Sequence, residues 1–469
     1  MSRKAQRVLE DLKIQTLGAK GKAIGKTEEG RVVFIPYVAP GDVVDARVIK
    51  KRKNYLEAEA IAIKSESEYR VEPRCEHFTR CGGCKWQHLQ YDQQLTYKQN
   101  EVLENLKRIG EITPEQIEPI LASETIYHYR NKMEFSFSDS RWIEKEEIES
   151  GEIFDRRGLG FHKPGMWDKI IDLNHCYLQG EPSDRIRNFC KEEGIRQELE
   201  FFNPRNGSGA LRTLMIRNTL AGDLMVLVQF YEASKNQIER YLSAIANQFP
   251  EITSLLYVIN QKGNDTLYDQ EIIVFQGKDH IEETMESLRF KVDAKSFYQT
   301  NSAQALRLYE VARDFADLRG DELVYDLYTG TGTIAQFIAQ KAKHVVGVEA
   351  IPEAIEKANE NAVINKINNV TFEVGDMKNV FNDEFVERHG KADIVITDPP
   401  RDGMHGEVVA QLLKLAPEKI VYVSCNSATQ ARDLKLLSEQ YRVVRSRAVD
   451  LFPQTHHIEN VVLLIKNIE

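Results

Sequence analysis

Apolar residues recur along the chain with two different periods, and the places where the period changes divide it. From residue 8 to about 66 they fall in short runs, Arg31–Tyr37, Val43–Ile49 and Tyr55–Ile63, punctuated by Gly18, Gly21, Gly25, Gly30 and a Pro40-Gly41-Asp42 turn. Short strands at this spacing predict a small β-barrel. Residues 91–110 then put Leu95, Val102, Leu103 and Leu106 on one helical face. Alternation with period two returns at Met133–Ser138, Arg212–Asn218, Leu224–Tyr231, Ser254–Ile259 and Glu271–Phe275, which predicts a β-rich middle. From Phe290 helices and strands alternate. A helix over Ser302–Phe315 precedes strands at Leu323–Tyr328, His344–Val348, Val370–Val374, Ala392–Thr397, Lys419–Val423, Arg442–Val449 and Asn460–Ile465. This order predicts an α/β, doubly wound, Rossmann-like sheet. Four units are expected: a barrel over 8–66, a cysteine-bearing segment and helix over 70–125, a β-rich α+β domain over 126–290, and the α/β domain over 291–469.

Composition changes this picture little. Apolar residues make up 42% and charged residues 29%, as in soluble globular proteins. No apolar run approaches the ~20 residues of a membrane span. The start, MSRKAQRVLEDLK, is basic but has no apolar core, so no signal peptide is read there. A cytoplasmic monomer without a membrane partner is expected, its six cysteines free of disulfides. The net charge of −10 argues against nucleic-acid binding over the whole surface. Residues 1–55, however, hold 13 Lys and Arg against 6 Asp and Glu, a local +7 that leaves −17 for the remainder. Lys50-Lys51-Arg52-Lys53 is either a solvated turn or a phosphate-contacting patch.

Chemistry enters with the cysteines. Cys75, Cys81 and Cys84 lie within ten positions, and Gly82-Gly83 lets the backbone fold tightly between them. Zinc and an iron–sulfur cluster both suit thiolates so spaced. His88, Cys190 and Cys176 are candidates for a fourth ligand. Cys176 is preferred because it sits in a loop, whereas Cys190 lies in a helical pattern. In the β-rich middle, Phe161, His162, Lys163 and Trp167 are either ordinary packing residues or a surface for stacking on splayed RNA bases.

Cys425 stands apart. Ile420–Ser424 runs as a buried parallel strand into Cys425, and a loop-forming Asn-Ser pair follows. Ligands of such sheets gather outside the carboxyl ends of the strands. VYDLYTGTGTIA adds a strand, a Gly-x-Gly turn and a helix, and Glu349 ends the next strand, where a carboxylate would accept ribose hydroxyls. That turn serves NAD and S-adenosylmethionine alike. TDPPR presents Asp398 at the same edge on a rigid proline pair.

Together SFYQTNSAQ, DLYTGTGT, VVGVEAI, TDPPRDGMH, VSCNSATQARDL and HHIENVVLL resemble the RNA uracil-5-methyltransferase family. The segment GKAIGKTEEGRVVFIPYVAPGDVVDARVIKKRKNYLEAEA resembles a TRAM domain, an OB-like RNA-binding barrel. With it and CGGCKWQH, the chain resembles the bacterial 23S ribosomal RNA branch that carries an iron–sulfur cluster. The resemblance implies a 4Fe-4S cluster on Cys75, Cys81, Cys84 and Cys176. It also implies S-adenosylmethionine contacts from Gln299, Tyr328, Glu349 and Asp398, a nucleophile at Cys425 and a base at Glu459, after an exposed Thr-His-His turn. Thr333 departs from the Asn the family often has there, and His456 and His457 have no assigned role. Transfer RNA as the substrate, zinc as the metal, and an NAD-dependent iron–sulfur oxidoreductase are the alternatives.

Overall fold

A computed structural model describes residues 7–467. The first six residues of the basic N-terminal stretch, and the last two of the C-terminal unit, lie outside it. Strands β1 (Val8–Leu17), β2 (Ala23–Lys26), β3 (Val32–Ile35), β4 (Val43–Lys51) and β5 (Tyr55–Ser65) close into a barrel in the order β1-β2-β3-β5-β4. Its core is narrow, built from Leu12, Ile14, Val33, Ile35, Val44 and Leu56. Lys50–Lys53 forms the exposed β4–β5 tip, where Arg31 donates to the Lys53 carbonyl at 3.0 Å.

After the helix Tyr91–Arg108 comes β6 (Gln116–Leu121). The middle sheet uses β7 (Lys132–Ser138), β8 (Gly158–His162), β9 (Ile170–Asp172), β10 (Leu211–Asn218), β11 (Leu224–Phe230), β12 (Ser254–Ile259) and β13 (Ile273–Gly277). Their order is β13-β12-β11-β10-β7-β8-β9, with helices Ser183–Arg196 and Lys235–Gln248 packed together beside it. A hairpin, β14 (His280–Met285) and β15 (Leu288–Asp293), follows.

The last sheet adds β16 (Leu323–Leu327), β17 (His344–Glu349), β18 (Val370–Val374), β19 (Ile394–Thr397), β20 (Lys419–Ser424), β21 (Tyr441–Val449) and β22 (Glu459–Lys466). Its order is β18-β17-β16-β19-β20-β22-β21-β6, and β22 runs antiparallel to both neighbours. Valines and isoleucines fill β16, β17, β19 and β20 because helices cover both faces of the sheet.

Two connections were not legible in the hydrophobic pattern. β6 pairs parallel with β21 and covers what would be a bare edge, and Glu118 binds Arg445 and Arg447 across the pair. The β14–β15 hairpin straddles residue 291, and Ile281, Met285, Phe290 and Val292 pack into the core of the C-terminal sheet. Asn361 and Asn365 accept the amides of Lys291 and Arg289, both at 2.8 Å. Among the described residues, no helix is long and apolar enough to cross a membrane.

Candidate active site

β16 and β19 are neighbours from which the chain winds in opposite directions, so a crevice opens beyond their carboxyl ends. The turn after β16 is sharply bent: Tyr328, Gly330 and Gly332 all have φ between 56° and 74°. A Cβ on Gly332 would stand 2.7 Å from the Phe372 ring and 2.9 Å from Ala358, so only glycine fits. Asp326, fully buried, ties the turn to the following helix by accepting from Thr329 and from the Ala335 amide at 3.0 Å. Its other oxygen has no partner among the described residues. Glu349 accepts the Gly330 amide at 3.2 Å and the Ala350 and Ile351 amides at 2.7 and 3.1 Å, which locks its carboxylate over the turn.

Of the other expected cofactor residues, Tyr328 stands in the turn after β16 itself. Burial raises the Tyr328 phenol to about 12. Gln299 precedes the helix Ser302–Ala316, and its carbonyl accepts from Asn131 of the middle domain at 2.8 Å. Thr333 is the first residue of the helix Thr333–Ala339, its hydroxyl 3.4 Å from that of Thr331.

Asp398 follows β19 and Cys425 follows β20. Ser424 pairs with Asn460 in the antiparallel β20–β22 ladder. The next position outward sets Cys425 opposite Glu459, and directly opposed residues share a face of the sheet. The charges bear this out. Burial first, then Glu459 and Asp398, raise the Cys425 thiol to about 11, while Arg401 pulls it down. Glu459 is 4% exposed, and burial, helped by Asp398, holds its carboxyl well above the ordinary range. Burial and then Asp326 raise Asp398 to about 7, and burial raises Asp326 likewise to about 7. The crevice is therefore an acidic recess poorly supplied with cations, suited to a ligand that brings its own positive charge.

Two expectations about local structure need correction. The Asn-Ser pair after Cys425 is not a loop: Asn426 caps the helix Ser427–Leu437, accepting the Ala428 amide at 3.1 Å, as Asn does at helix starts. The Thr-His-His turn is not exposed: Thr455 is buried, and His456 and His457 are half-buried and stacked 4.2 Å apart. Burial lowers both imidazoles to about 4, so both are neutral at pH 7.

Arg401 is a site residue that motif reading passed over. Asn426 and Thr429 hold its backbone carbonyl at 2.9 and 3.0 Å, and its side chain lies close enough to the Cys425 thiol to pull its pKa down. It stands inside DPPR, so the signal was present. Tyr309 has no such signal. It is placed by the fold alone, beneath Asp398, Asp326 and Glu459, whose charges together with burial raise its phenol well above 10.

The cysteine segment meets this site from the side. The Lys85 and Trp86 amides donate to the Gln454 carbonyl at 2.8 and 3.1 Å. Gln94 and Gln454 exchange two amide bonds, both at 3.0 Å. Lys98 and Asp450 form a fully buried ion pair at 2.6 Å. The indole of Trp86 donates to Gly21 of the barrel at 3.1 Å, and Gly21 abuts His456. Barrel, cysteine loop and the loop leading to Glu459 therefore meet at Gln454.

Cys75, Cys81, Cys84 and Cys176 lie within electrostatic reach of one another. Cys190 is buried in its helix under Tyr241, whose hydroxyl donates to the Cys190 carbonyl at 2.7 Å. His88 is buried between the barrel and Phe78. Among the described residues, no three His, Cys, Asp or Glu side chains converge closely enough to hold a single metal ion.

The strand order, the left-handed glycine turn after β16 and the carboxylate ending β17 define the class: a methyltransferase domain of the S-adenosylmethionine-dependent type. The comparisons with known proteins agree and go further. Residues 214–467 match the tRNA (uracil-5-)-methyltransferase family model, and residues 6–61 match the TRAM domain. An uncharacterised RNA methyltransferase of Porphyromonas gingivalis is 51% identical over 98% of this chain and 100% of its own length. One from Chlorobaculum tepidum is 38% identical over 96% and 95%. Among solved structures, Pyrococcus abyssi tRNA (uracil-54, C5)-methyltransferase in complex with S-adenosyl-L-homocysteine superposes with a TM-score of 0.75. It is 29% identical and covers 97% of this chain and 99% of that one. The chain belongs to the RNA uracil-5-methyltransferase family and is an S-adenosylmethionine-dependent enzyme. That membership replaces the nicotinamide oxidoreductase alternative, which rested on the glycine turn.

Proposed function

We propose that this cytoplasmic, monomeric enzyme methylates carbon 5 of a uridine in 23S ribosomal RNA through a covalent Cys425–uracil adduct. The observation that carries the mechanism is that Cys425 and Glu459 lie one position beyond the last β20–β22 pair, Ser424 with Asn460, close enough for the Glu459 charge to act on the thiol. Bound S-adenosylmethionine supplies an electrophilic methyl group. Glu349 accepts the ribose hydroxyls, while Gln299, Tyr328 and Asp398 hold the rest of the cofactor. The acidic recess and the unpartnered Asp326 oxygen suit a sulfonium cation.

Carbon 5 of uracil is too weakly nucleophilic to take the methyl group unaided. The Cys425 sulfur, once its proton has left for solvent, bonds to carbon 6, and the displaced π pair becomes an enolate. Carbon 5 then bonds to the methyl carbon as the methyl–sulfur bond breaks. Glu459 takes the carbon-5 proton, the carbon 6–sulfur bond breaks, and the double bond returns. A carboxylate with a raised pKa is a strong base once ionised. The target base must leave its stack to enter the crevice.

The four clustered cysteines fit an iron–sulfur cluster better than zinc. Burial raises all four thiols, and the His77 and Phe78 amides near Cys75, the Gly83 amide near Cys81, the Leu178 amide near Cys176 and the Gln87 side chain near Cys84 act the other way. Donors of this kind stabilise ligating thiolates. A cluster also spaces its thiolates more widely than one tetrahedral ion does, which accords with four neighbouring thiols that do not converge. Its role in this reading is structural, because methyl transfer moves no electrons. The same reading carries the four-unit division of the chain.

Resemblance to the cluster-bearing branch favours 23S RNA. The similarity to the Pyrococcus transfer RNA enzyme favours tRNA as the second reading. Mapping 5-methyluridine in both RNAs of a deletion strain separates them: loss from 23S RNA alone supports the proposal, and loss from tRNA alone replaces it with the second reading.

A further inference from the structure

The middle sheet carries a cavity of about 270 Å³ that the reaction does not use. Ser136, Phe137 and Ser138 at the far end of β7 line it, with Trp167, Phe202 and Tyr231 around them. Trp167 is 64% exposed, an unusual place for an indole unless something covers it. The Phe202 and Tyr231 rings lie 5.0 Å apart and tilted by 50°. Arg212 spans both, its guanidinium carbon 4.8 and 5.6 Å from their centroids. Arg212 is 5% exposed and its guanidinium donates to the Asn260 and Lys262 carbonyls at 2.7 and 2.8 Å, with the Asp265 carboxylate close enough to act on it. The cavity thus offers aromatic faces, a pinned cation, and polar edges at His162, Asn264 and the Asp168 and Asp265 carboxylates, Asp168 already paired with Arg205.

We propose that this cavity takes one unpaired base of the RNA substrate, distinct from the uridine that is methylated. Stacking faces beside a fixed guanidinium suit a flat, polar-edged base next to a phosphate. The volume suits one base rather than a drug-sized ligand. Its place on the strand also fits. Asn131, just before β7, donates to Gln299 and Thr300 at 2.8 Å, and Tyr129 donates to Pro453 at 2.9 Å, so β7 starts at the catalytic crevice. Six residues further on lies the cavity, about 20 Å away at the rise of a strand. One RNA strand can occupy both places with a few nucleotides between. The proposal rests on RNA uridine being the substrate.

The test uses full-length protein, loaded with its metal, and transcripts of 23S RNA fragments and tRNA. Trp167→Ala is chosen because the side chain is exposed and its loss leaves the core intact. The KM for the methylated transcript is expected to rise about tenfold or more, with kcat and S-adenosylmethionine affinity unchanged and with rescue by Trp167→Phe. Arg212→Lys is expected to do the same while keeping the charge. An unchanged KM in Trp167→Ala overturns the proposal. So does equal, Trp167-dependent binding of free AMP or UMP, which makes the cavity a metabolite site. If no transcript is methylated, yet RNA binding still falls tenfold in Trp167→Ala, the reaction reading fails and the cavity proposal stands.

Discussion

Cys425 and Cys84 are both thiols with raised pKa values, about 11 and about 12, yet the two belong to opposite kinds of site. Burial dominates at each. Around Cys84 the next influences are a neutral donor, Gln87, and other thiols. Around Cys425 they are the Glu459 and Asp398 carboxyls and the Arg401 guanidinium, from the start of β22 and the segment after β19. The first environment would relax once the sulfur releases its proton to solvent and binds a metal as thiolate. The second is a set of opposed charges that a cationic cofactor and a flipped base would rebalance. A raised thiol pKa therefore says little about reactivity; the identity of the neighbours separates the proposed ligand from the proposed nucleophile. Cys190, raised to about 12 with only Tyr241 and Glu193 near it, is the inert case.

The strongest way to break this comparison is Cys425→Ala. Methyl transfer to RNA should fall by a factor on the order of 10⁴ or more, as for other nucleophile deletions, while cofactor binding by calorimetry stays intact. Retained turnover would remove the nucleophile. Glu459→Gln should slow turnover by roughly 10²–10⁴ and trap the adduct, visible as an RNA-linked band on denaturing gels. A slow variant without that band would place the base elsewhere. On the other side, Cys84→Ser should abolish the yellow-brown absorbance of anaerobically purified protein, with S-adenosylmethionine affinity preserved. Full colour would take Cys84 off the ligand list.

pH sharpens the contrast further. Asp398 and Asp326 interact and have folded-state pKa values raised to about 7, above the ordinary value of 3.8. Their contribution to stability is fully present below pH 4 and is lost as pH rises towards 7. Affinity for the cationic cofactor should run the opposite way, rising through pH 7 as the pair ionises. Asp398→Asn should flatten that rise, and titration calorimetry from pH 5.5 to 8.5 reads it. The smallest effect is expected for Gln94→Leu. It leaves the buried Gln454 amide unpaired and should cost about 1–3 kcal/mol in denaturant unfolding, with little change in KM for the cofactor. An unaltered midpoint would show that the Gln94–Gln454 pair does not brace the loop.

Much of this architecture was readable in advance, for identifiable reasons. β16, β17, β19, β20 and β22 are buried on both faces, so their apolar runs are dense, and the glycine turn and DPPR stand at the ends of β16 and β19. Local rules suffice there. β6 was missed because Gln116–Leu121 has mixed polarity; Glu118 faces arginines of β21 rather than solvent. The cap at Asn426 was taken for a loop because Asn-Ser suits both, and only the helix behind it decides. The burial of His456 and His457 depends on the barrel and on residues 85–98, more than 350 positions away, and no local pattern encodes it.

The Gln454 junction joins partners 360 residues apart in the chain. During synthesis at about 5–20 residues per second, the cysteine loop leaves the ribosome tens of seconds before the strand that will clasp it. For that interval its thiols are uncovered and their final neighbours do not exist. Metal insertion before Gln454 emerges would meet an open loop, and insertion afterwards a closed one. The position of Gln454 along the messenger therefore sets how long the loop stays open to a metal.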